Sequence, residues 1–432
     1  MNINNTFKER LKDYFGNDAD TYIELLDKPA SHGFFVNTNK DNKENILKTI
    51  DFKFNESGLN DNAYLTDYDS IGKTVAYNLG LIYPQDAESS LSSSLVSLND
   101  IKLIVDMCAA PGGKSINIAN TYPDALLISN EVNHTRASIL ASNLERMGID
   151  KSIVTNMDTG YLADKLQGNA DLVILDAPCS GEGMIRKYPE IMDNYNTENI
   201  NSLAKLQEEL LDNAYKLCKK DGYILYSTCT YALEEDENQV SNFISKYDVE
   251  LIPLKFKYNY SKLDGTIKLC PLNGTEGQFI ALLKKKGDTD KAKIKYLVHA
   301  KNKTVDDFIK ENLTIDKYSL YSNGDNYYLS LNDLPDLGKG TIRNGIYLGE
   351  LKKGRFEPAH NFYRANSLIG KYINTIELNK DEYFKYINGS ELPCLKPNDY
   401  YLITYMNYQL GYGKIADNRL KNKYPKGLRT ML

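Results

Sequence analysis

Hydrophobic positions change their spacing several times along the first hundred residues. Apolar side chains recur at helical spacing over residues 7–14, which predicts a short amphipathic helix. The run GFFVNT at 33–38 predicts a strand, and residues 75–81 predict a second helical stretch. An Asn-Asp pair at 99–100 is typical of a turn. We therefore predict an N-terminal α+β segment that comprises residues 1–99.

The next part of the chain alternates short, continuous apolar runs with segments of helical periodicity. The runs are IKLIVD (101–106), ALLISNE (125–131), SIVTN (152–156), DLVILDA (171–177) and GYILYST (222–228). Such runs are typical of parallel strands buried on both faces and joined by crossover helices. The pattern predicts an open α/β sheet over residues 100–285, whose ligands bind beyond the carboxyl ends of the strands.

The pattern changes again after the last strand of this predicted sheet. Residues 284–303 contain eight lysines and two aspartates, and we interpret 286–303 as a basic linker. The remainder, residues 304–432, is rich in Tyr and Gly and has strand-like runs at 345–351 and 399–406. It is predicted to form a smaller mixed α+β domain.

Composition and charge narrow the class of protein. The 432 residues include 52 basic and 58 acidic side chains, a net charge of −6, which argues against general attraction to nucleic acid. The six cysteines and four histidines show no metal-ligand spacing, so we expect no metal and a reduced, cytoplasmic protein. The N-terminus has no signal pattern and no run is long enough to span a bilayer, so no membrane association is expected.

The segment DMCAAPGGKS, residues 106–115, follows the first predicted strand and opens a helix. Its small residues allow a ligand to approach the backbone, yet it has neither the GxGxxG nor the P-loop spacing. The next strand ends at Glu131, 25 residues beyond Asp106, where dinucleotide folds place an acidic residue on the ribose. An adenosine-bearing ligand without a pyrophosphate fits both features; a tight turn with no ligand is the alternative.

Two cysteines follow the fourth and fifth strands of the predicted sheet. Cys179 lies in DAPCSG, residues 176–181, and Cys229 lies in STCTY, residues 227–231. In a doubly wound sheet these strands are neighbours on one side of the first strand, so both sulfurs could face one crevice. A single free cysteine is most often a small buried side chain, but two at successive strand ends favour chemistry.

These motifs together resemble the Sun/Fmu (NOL/NOP/Sun) family of RNA cytosine-C5 methyltransferases. The resemblance rests on CAAPGGKS, NEVNHTRASILASNLERMG, DAPCSGEGMIRK and STCTYALEEDENQ, in that order. Four further segments, VNTNK (36–40), YPQDAESS (83–90), GRFEPAHNF (354–362) and LKNKYPKGLR (420–429), are similar to the family's RsmF-like branch. That branch modifies small-subunit (16S) ribosomal RNA and ends in a PUA-like RNA-binding domain.

The resemblance implies a Rossmann-like class I fold that uses S-adenosylmethionine (SAM) and releases S-adenosylhomocysteine. The implied cofactor-binding residues are Cys108, Ala109, Ala110, Pro111, Gly112, Gly113, Lys114, Glu131, Asp158 and Asp176. Among them, Glu131 would bind the ribose and Asp158 would lie near the adenine. The implied catalytic residues are Cys229, which adds to carbon 6 of cytosine, Cys179, which assists release, and Asp176, which contacts the ring N3 and amino edge.

Binding of the implied RNA substrate requires locally positive surfaces. The net charge of −6, which is a sum over the whole chain, does not reveal them. Residues 284–303 carry a net charge of +6 and residues 411–432 carry +5. The candidate RNA-binding residues are Arg186, Lys187, Lys414, Arg419, Lys421, Lys423, Lys426 and Arg429. A solvated surface is the alternative for either run, but nearby tyrosines would allow stacking on unpaired bases.

The predicted function is therefore methylation of a cytosine in 16S rRNA or the small ribosomal subunit by a monomeric enzyme. A tRNA cytosine-C5 methyltransferase of the same family is one alternative. A catalytically silent RNA-binding or ribosome-assembly factor is another, although such a protein has no need of both thiols. A DNA methyltransferase is disfavoured because that class attacks with the sulfur of the Pro-Cys motif.

Overall fold

The computed structural model describes residues 3–257 and 259–429, and begins with a small α+β segment. Its elements are α1 (Asn5–Phe15), α2 (Ala19–Leu25), β1 (Gly33–Val36), α3 (Lys43–Leu47), β2 (Asn55–Glu56), β3 (Ala63–Leu65), α4 (Val75–Asn78), β4 (Ile82–Pro84) and α5 (Ala87–Ser94). The four strands form an antiparallel sheet in the order β2-β3-β1-β4. The helix and strand predicted at 7–14 and 33–38 are confirmed as α1 and β1.

Helix α1 docks this segment onto the central part of the chain. Phe7, Leu11 and Tyr14 are buried on one face of the helix, at the spacing that the sequence predicted. They share a hydrophobic cluster with Tyr231, which lies two residues beyond Cys229. The N-terminal segment therefore supports the loop that carries this cysteine.

The central part of the chain forms a large mixed sheet. Its elements are β5 (Leu103–Asp106), α6 (Gly113–Thr121), β6 (Leu126–Asn130), α7 (His134–Arg146), β7 (Ser152–Thr155), α8 (Thr159–Leu166), β8 (Ala170–Asp176), α9 (Thr197–Leu217), β9 (Cys218–Thr228), α10 (Glu237–Lys246), β10 (Val249–Ile252), β11 (Ile267–Leu269) and β12 (Gln278–Lys285). Strands β9, β8, β5, β6 and β7 are adjacent and parallel. Strand β12 joins antiparallel to β9, and β10 and β11 pair with it.

Both faces of this sheet are covered, as the continuous apolar runs predicted. Ile104 and Leu172 pack into the hydrophobic core on one face, whereas Val105 and Val173 pack into the core on the other. The predicted open α/β sheet is thereby confirmed. None of the described helices combines the length and the apolarity that crossing a membrane requires.

The C-terminal part of the chain forms two further sheets. Its elements are α11 (Lys303–Asn312), β13 (Ser319–Asn323), β14 (Asn326–Ser330), β15 (Thr341–Asn344), β16 (Ile346–Lys352), β17 (Arg355–Pro358), β18 (Thr375–Leu378), α12 (Lys380–Ile387), β19 (Leu392–Pro393), β20 (Tyr400–Tyr405), β21 (Tyr408–Ala416) and β22 (Arg419–Asn422). The strand orders are β13-β14-β16-β17 and β18-β20-β21-β22-β19. The runs at 345–351 and 399–406 are confirmed as β16 and β20, while the predicted domain limits stay predictions.

Strand β15 leaves this C-terminal part and completes the central sheet. It pairs antiparallel with β7, and the sequence pattern did not indicate the pairing. Arg343 of β15 is buried and its guanidinium donates to the Ile149 carbonyl at 3.2 Å and to Ser152 Oγ at 2.7 Å. The central sheet therefore depends on residues far downstream.

The predicted adjacency of the fourth and fifth strands beside the first is confirmed. Asp176, at the end of β8, lies opposite Ser227 of β9 in a parallel register. The loops that carry Cys179 and Cys229 therefore leave the same edge of the sheet. Cys218 is the first residue of β9 and is fully buried.

Buried carboxylates hold these two loops in place. Glu182, in the loop after β8, accepts hydrogen bonds from Thr230 Oγ1 and from the Tyr231 backbone N–H, both at 3.1 Å. Asp236, in the loop after β9, accepts from Thr228 Oγ1 at 2.5 Å and lies 3.0 Å from the Lys268 ammonium. Both carboxylates are fully buried. The loops are therefore fixed by polar contacts that water does not weaken.

Glu235 joins the two loops directly. Its Oε2 accepts from the Ser180 backbone N–H at 3.0 Å and from Gln207 Nε2 at 2.8 Å. Its Oε1 has no hydrogen-bond partner within the described part of the chain. Burial raises the pKa of the Glu235 carboxyl to about 7, because the ionised form loses its hydration.

The substitution Glu235→Gln tests the raised pKa of Glu235, because glutamine keeps an acceptor for Ser180 and Gln207 but does not titrate. In the unmodified protein the unfolded carboxyl ionises at its ordinary, lower pKa, so the free energy of unfolding falls as pH rises towards 7. Between about pH 5 and about pH 8, we expect this fall to be smaller in Glu235→Gln by on the order of 2 kcal/mol. Urea unfolding of both proteins measures it, and an identical pH dependence would contradict the raised pKa.

Candidate active site

The loop between β5 and α6, residues 107–112, lies at the carboxyl edge of the central sheet. Gly112 has a φ of +118°, a conformation that residues with a Cβ atom rarely adopt. A Cβ atom at Gly113 would lie 2.8 Å from Nε2 of Gln85 in the N-terminal segment. Because side chains are small or absent here, the backbone of this loop and of the start of α6 borders the adjacent space directly.

Asp106 lies fully buried beneath this loop. Its Oδ2 accepts a hydrogen bond from Ser115 Oγ at 2.7 Å, and its Oδ1 has no partner within the described residues. Burial, together with the negative charge of Asp176, raises the pKa of this carboxyl to about 7, although the hydrogen bond from Ser115 acts in the opposite direction. Asp106 is therefore partly protonated near neutral pH.

An ion pair connects the start of α6 to the end of β8. Lys114 Nζ lies 2.8 Å from Oδ1 of Asp176, and the same oxygen accepts a hydrogen bond from Ser227 Oγ at 2.8 Å. Because both contacts use Oδ1, the other carboxylate oxygen remains for a further donor. Asp176 thereby lies between the predicted cofactor loop and the strand that leads to Cys229.

Glu131 lies at the end of β6 and is buried. Its Oε1 accepts from the Asn133 backbone N–H at 2.9 Å, and its Oε2 lies 3.3 Å from the Arg136 guanidinium. Arg136 also donates to the Ala110 carbonyl at 2.8 Å. Arg136 thereby connects Glu131, the predicted ribose-binding residue, to the loop at residues 107–112, which we call the glycine-rich loop.

Asp158 lies three residues beyond the end of β7 and caps helix α8. Its Oδ1 accepts from the backbone N–H groups of Gly160 at 2.9 Å and Tyr161 at 3.1 Å. Helix capping alone is a sufficient reason for an aspartate at this position, without a ligand. It uses only one of the two carboxylate oxygens, and the residue is exposed.

A cavity of about 810 Å³ opens between the glycine-rich loop and the N-terminal segment. Its lining includes Cys108, Ala109, Ala110, Pro111, Gly113, Lys114 and Asp176 on one side and Tyr83, Gln85 and Asp86 on the other. This volume is typical of small-molecule sites. Gly112, Glu131, Asp158 and the two predicted catalytic cysteines are outside its lining.

The features of this cavity fit an adenosine-bearing ligand such as SAM. The backbone of a glycine-rich turn is accessible, and Asp106 Oδ1 beneath it lacks a partner within residues 3–257 and 259–429. Cys108 is a thiol there, because burial raises its pKa above the ordinary value. Groups of three or more His, Cys, Asp or Glu side chains that could hold a metal ion are absent from the described residues.

Cys179 and Cys229 lie side by side. Their sulfur atoms are 3.3 Å apart, and the Cys229 backbone N–H donates to Cys179 Sγ at 3.4 Å. The contact with the Cys229 sulfur, together with burial, raises the pKa of the Cys179 thiol well above its ordinary value. Cys179 therefore carries a proton at neutral pH.

Sequence reasoning assigned no role to the side chains that hold this pair. Glu182, Glu235 and Asp236 lie within the quoted motifs DAPCSGEGMIRK and STCTYALEEDENQ, so the signal was present in the sequence. A carboxylate in a polar motif resembles an exposed surface residue. Only the structure reveals that Glu182 and Asp236 are fully buried.

Arg186 and Lys187, predicted to contact RNA, form ion pairs within the protein. The Arg186 guanidinium lies 2.5 Å from the fully buried Glu276 carboxylate, in the loop before β12. Lys187 pairs with Asp86 of the N-terminal segment. Both also line the 810 Å³ cavity. They tie the loop after Cys179 to its surroundings, and RNA contact stays a prediction.

The predicted basic residues of the C-terminus lie in two environments. Arg419 and Lys421 both approach the Glu391 carboxylate, at 3.0 and 3.1 Å, and Lys414 lies 4.9 Å from the centre of the Tyr400 ring. The other three predicted residues follow β22, within residues 423–429. Lys423 and Lys426 are exposed, and Arg429 donates to the Tyr424 carbonyl.

Comparison with known families matches almost the whole chain. Residues 94–284 match the model described as 16S rRNA methyltransferase RsmB/F. Residues 3–87 match the N-terminal domain of 16S rRNA methyltransferase RsmF, and residues 307–365 match the RsmF rRNA methyltransferase first C-terminal domain. Residues 373–430 match the methyltransferase RsmF PUA domain.

Individual relatives agree with this result. A ribosomal RNA small subunit methyltransferase F of Shewanella woodyi is 31% identical over 83% of this chain and 80% of its own length. The protein of the same name from Shewanella piezotolerans is 28% identical over 99% of this chain and 97% of its own length. A tRNA (cytosine(49)-C(5))-methyltransferase of Pyrococcus abyssi is 32% identical over 62% of this chain and 92% of its own length.

A solved structure shares the fold of the central region. The crystal structure of a methyltransferase homolog protein from Pyrococcus horikoshii superposes with a TM-score of 0.58 at 28% identity, over 65% of this chain and 94% of that chain. The open α/β sheet with its C-terminal PUA-like domain is therefore a Rossmann-like methyltransferase fold. The chain belongs to the RsmF branch of the RsmB/F family of SAM-dependent RNA methyltransferases.

Proposed function

We propose that the protein transfers the methyl group of SAM to carbon 5 of a cytosine in small-subunit ribosomal RNA. The pair of sulfur atoms 3.3 Å apart at the ends of neighbouring strands carries this proposal. The RsmF-specific models matched on both sides of the catalytic region support ribosomal RNA as the substrate.

SAM, when bound, supplies an electrophilic methyl group. The loop Cys108–Lys114 would hold it through backbone groups, and Asp176 would lie beside it. Glu131, already oriented by Asn133 and Arg136, would accept hydrogen bonds from the ribose hydroxyls. Asp158 would contact the adenine through the carboxylate oxygen that helix capping does not use.

The chemistry requires a nucleophile because carbon 5 of cytosine attacks a methyl group poorly. The Cys229 thiolate adds to carbon 6, and the electron pair of the C5–C6 double bond makes carbon 5 nucleophilic. Asp176 contacts the N3 and amino edge through Oδ2, since Oδ1 is engaged by Lys114 and Ser227. The target base must leave its stack to reach these groups.

The protonation state of Cys179 supports different roles for the two cysteines. Its raised pKa keeps the proton on Cys179, so its S–H group can donate to the Cys229 thiolate. When the Cys229 sulfur is bonded to carbon 6, it is no longer a free thiolate beside Cys179, so the contact that raises the pKa of Cys179 changes. Cys179, once it has lost its own proton, accepts the proton from carbon 5. The electron pair of that C–H bond re-forms the C5–C6 double bond, and the C6–S bond breaks to expel the Cys229 thiolate.

The alternative substrate is transfer RNA. The 32% identity to a tRNA methyltransferase supports it, but that similarity extends over 62% of this chain. The Shewanella piezotolerans relative matches 99% of the chain, including the C-terminal sheets. A catalytically silent RNA-binding factor is the second alternative, and the adjacent cysteines count against it.

Bisulfite sequencing of ribosomal and transfer RNA from cells that lack the gene tests the substrate. We expect one or more cytosines of small-subunit rRNA to lose protection, because methylation at carbon 5 blocks bisulfite conversion. Complementation with the gene restores protection. Loss of protection in tRNA alone would contradict the ribosomal assignment and support the alternative.

The substitution Cys229→Ala tests the nucleophile. We expect methyl transfer to fall below detection because carbon 6 has no thiolate to attack it, while SAM binding, measured by calorimetry, stays unchanged. Cys394→Ala is the control, since Cys394 lies in the C-terminal sheet region, outside the motifs. Full activity in Cys229→Ala would refute this role.

The substitution Cys179→Ala tests the release step. Because Cys229 still adds to carbon 6 but the carbon 5 proton is not removed efficiently, we expect a covalent protein–RNA adduct. Denaturing gel electrophoresis detects it as a slow band that requires SAM and is absent from the double substitution Cys179→Ala/Cys229→Ala. Normal turnover without a band would contradict the release role.

A further inference from the structure

A second cavity, of about 530 Å³, lies where the N-terminal, central and C-terminal parts of the chain meet. We call it the junction cavity. Its walls come from α4, from the last turn of α7, and from residues 360–364 and 424–429. Gly72 lines both this cavity and the 810 Å³ cavity of the candidate active site. The two spaces are therefore neighbours.

Arg146 supplies the first positive charge of the junction cavity. Its side chain is largely buried, and its guanidinium carbon lies 3.8 Å from the centre of the Tyr77 ring. The guanidinium donates only long hydrogen bonds, to Asn143 Oδ1 at 3.3 Å and to the Ile82 and Tyr77 carbonyls at 3.3 and 3.4 Å. Within the described residues it has no carboxylate partner.

Arg364 supplies the second charge and is 1% exposed. Its guanidinium donates to the carbonyls of Gln409 at 2.6 Å, Arg146 at 2.7 Å and Asn78 at 3.1 Å. Its Nε has no hydrogen-bond partner in the described part of the chain, and no described carboxylate forms an ion pair with it. Two buried guanidinium groups thus lie together, and neither forms an ion pair with a carboxylate of the described residues.

The remaining polar groups of the cavity do not neutralise these charges. Glu145 is the one carboxylate among the described lining residues, and its Oε1 lies 3.0 Å from His360 Nδ1. The Nε2 atom of His360 is buried without a partner among the described residues. Arg429, from the last described turn, adds a third guanidinium group to the lining.

We propose that the junction cavity binds a phosphate-bearing nucleotide of the substrate RNA, outside the target cytosine. Buried cations without carboxylate partners are costly, and a bound anion would offset that cost. Guanidinium groups match phosphate geometry and also stack on bases. Because Gly72 borders both cavities, RNA bound in the junction cavity would lie beside the candidate active site. The inference rests on the proposed RNA substrate.

Arg429→Gln tests the inference at a partly exposed position, because substitution of the buried Arg146 or Arg364 is expected to lower the Tm. Lys385→Gln is the control: it removes the same charge from the C-terminal part of the chain, but Lys385, on α12, is exposed, lies outside the lining and is not among the candidate RNA-binding residues. The probe is small-subunit rRNA transcribed in vitro, with Kd measured by filter binding over a range of salt concentrations.

We expect Arg429→Gln to bind the RNA roughly three- to tenfold more weakly than Lys385→Gln, with an unchanged Tm and unchanged SAM affinity. Its slope of log K against log salt should be smaller by about 0.7 to 0.9, the loss of one phosphate contact. Arg429→Lys, which keeps the charge, should restore the slope.

Equal Kd values and equal slopes for Arg429→Gln and Lys385→Gln would overturn the inference. If the unsubstituted protein methylates the rRNA in the same experiment, such equality refutes only the junction cavity. If the unsubstituted protein neither binds nor methylates the rRNA, the proposed function fails and the inference fails with it.

Discussion

The parallel pairing of β8 with β9 is the constraint on which the candidate active site depends. Since Asp176 and Ser227 are opposite each other in this register, the loops that follow them begin side by side. Two cysteines separated by fifty positions therefore meet without any direct sequence link. Buried carboxylates of these loops, such as Glu182, then prevent the loops from moving independently.

Burial of charge recurs throughout this molecule and has different consequences in different places. Around Glu235 and Asp106 it favours the protonated carboxyl, so these groups support loops without a full negative charge near the substrate. The buried ammonium group of Lys268, by contrast, forms ion pairs with two carboxylates, those of Asp236 and Glu237. The buried guanidinium groups of Arg146 and Arg364 at the junction cavity have no such ion pairs among the described residues. The net charge of the chain describes none of these local arrangements.

The sequence predicted that the fourth and fifth strands are neighbours beside the first, and hence that Cys179 and Cys229 could face one crevice, because both follow from general rules for parallel sheets. It did not predict the partners of Arg186, since Glu276 is ninety residues away and nothing local marks the pair. It also missed β15, because a four-residue strand has too little periodicity to identify its partner. Long-range polar contacts and short edge strands need three-dimensional information.

The position of β15 bears on how the chain matures during synthesis. The catalytic sheet ends at β7, and its open edge is covered only by a strand from the C-terminal third. Until that strand has left the ribosome, β7 presents unpaired backbone groups that could pair with other chains. An incomplete chain that already contains every candidate catalytic residue would therefore still lack its finished sheet.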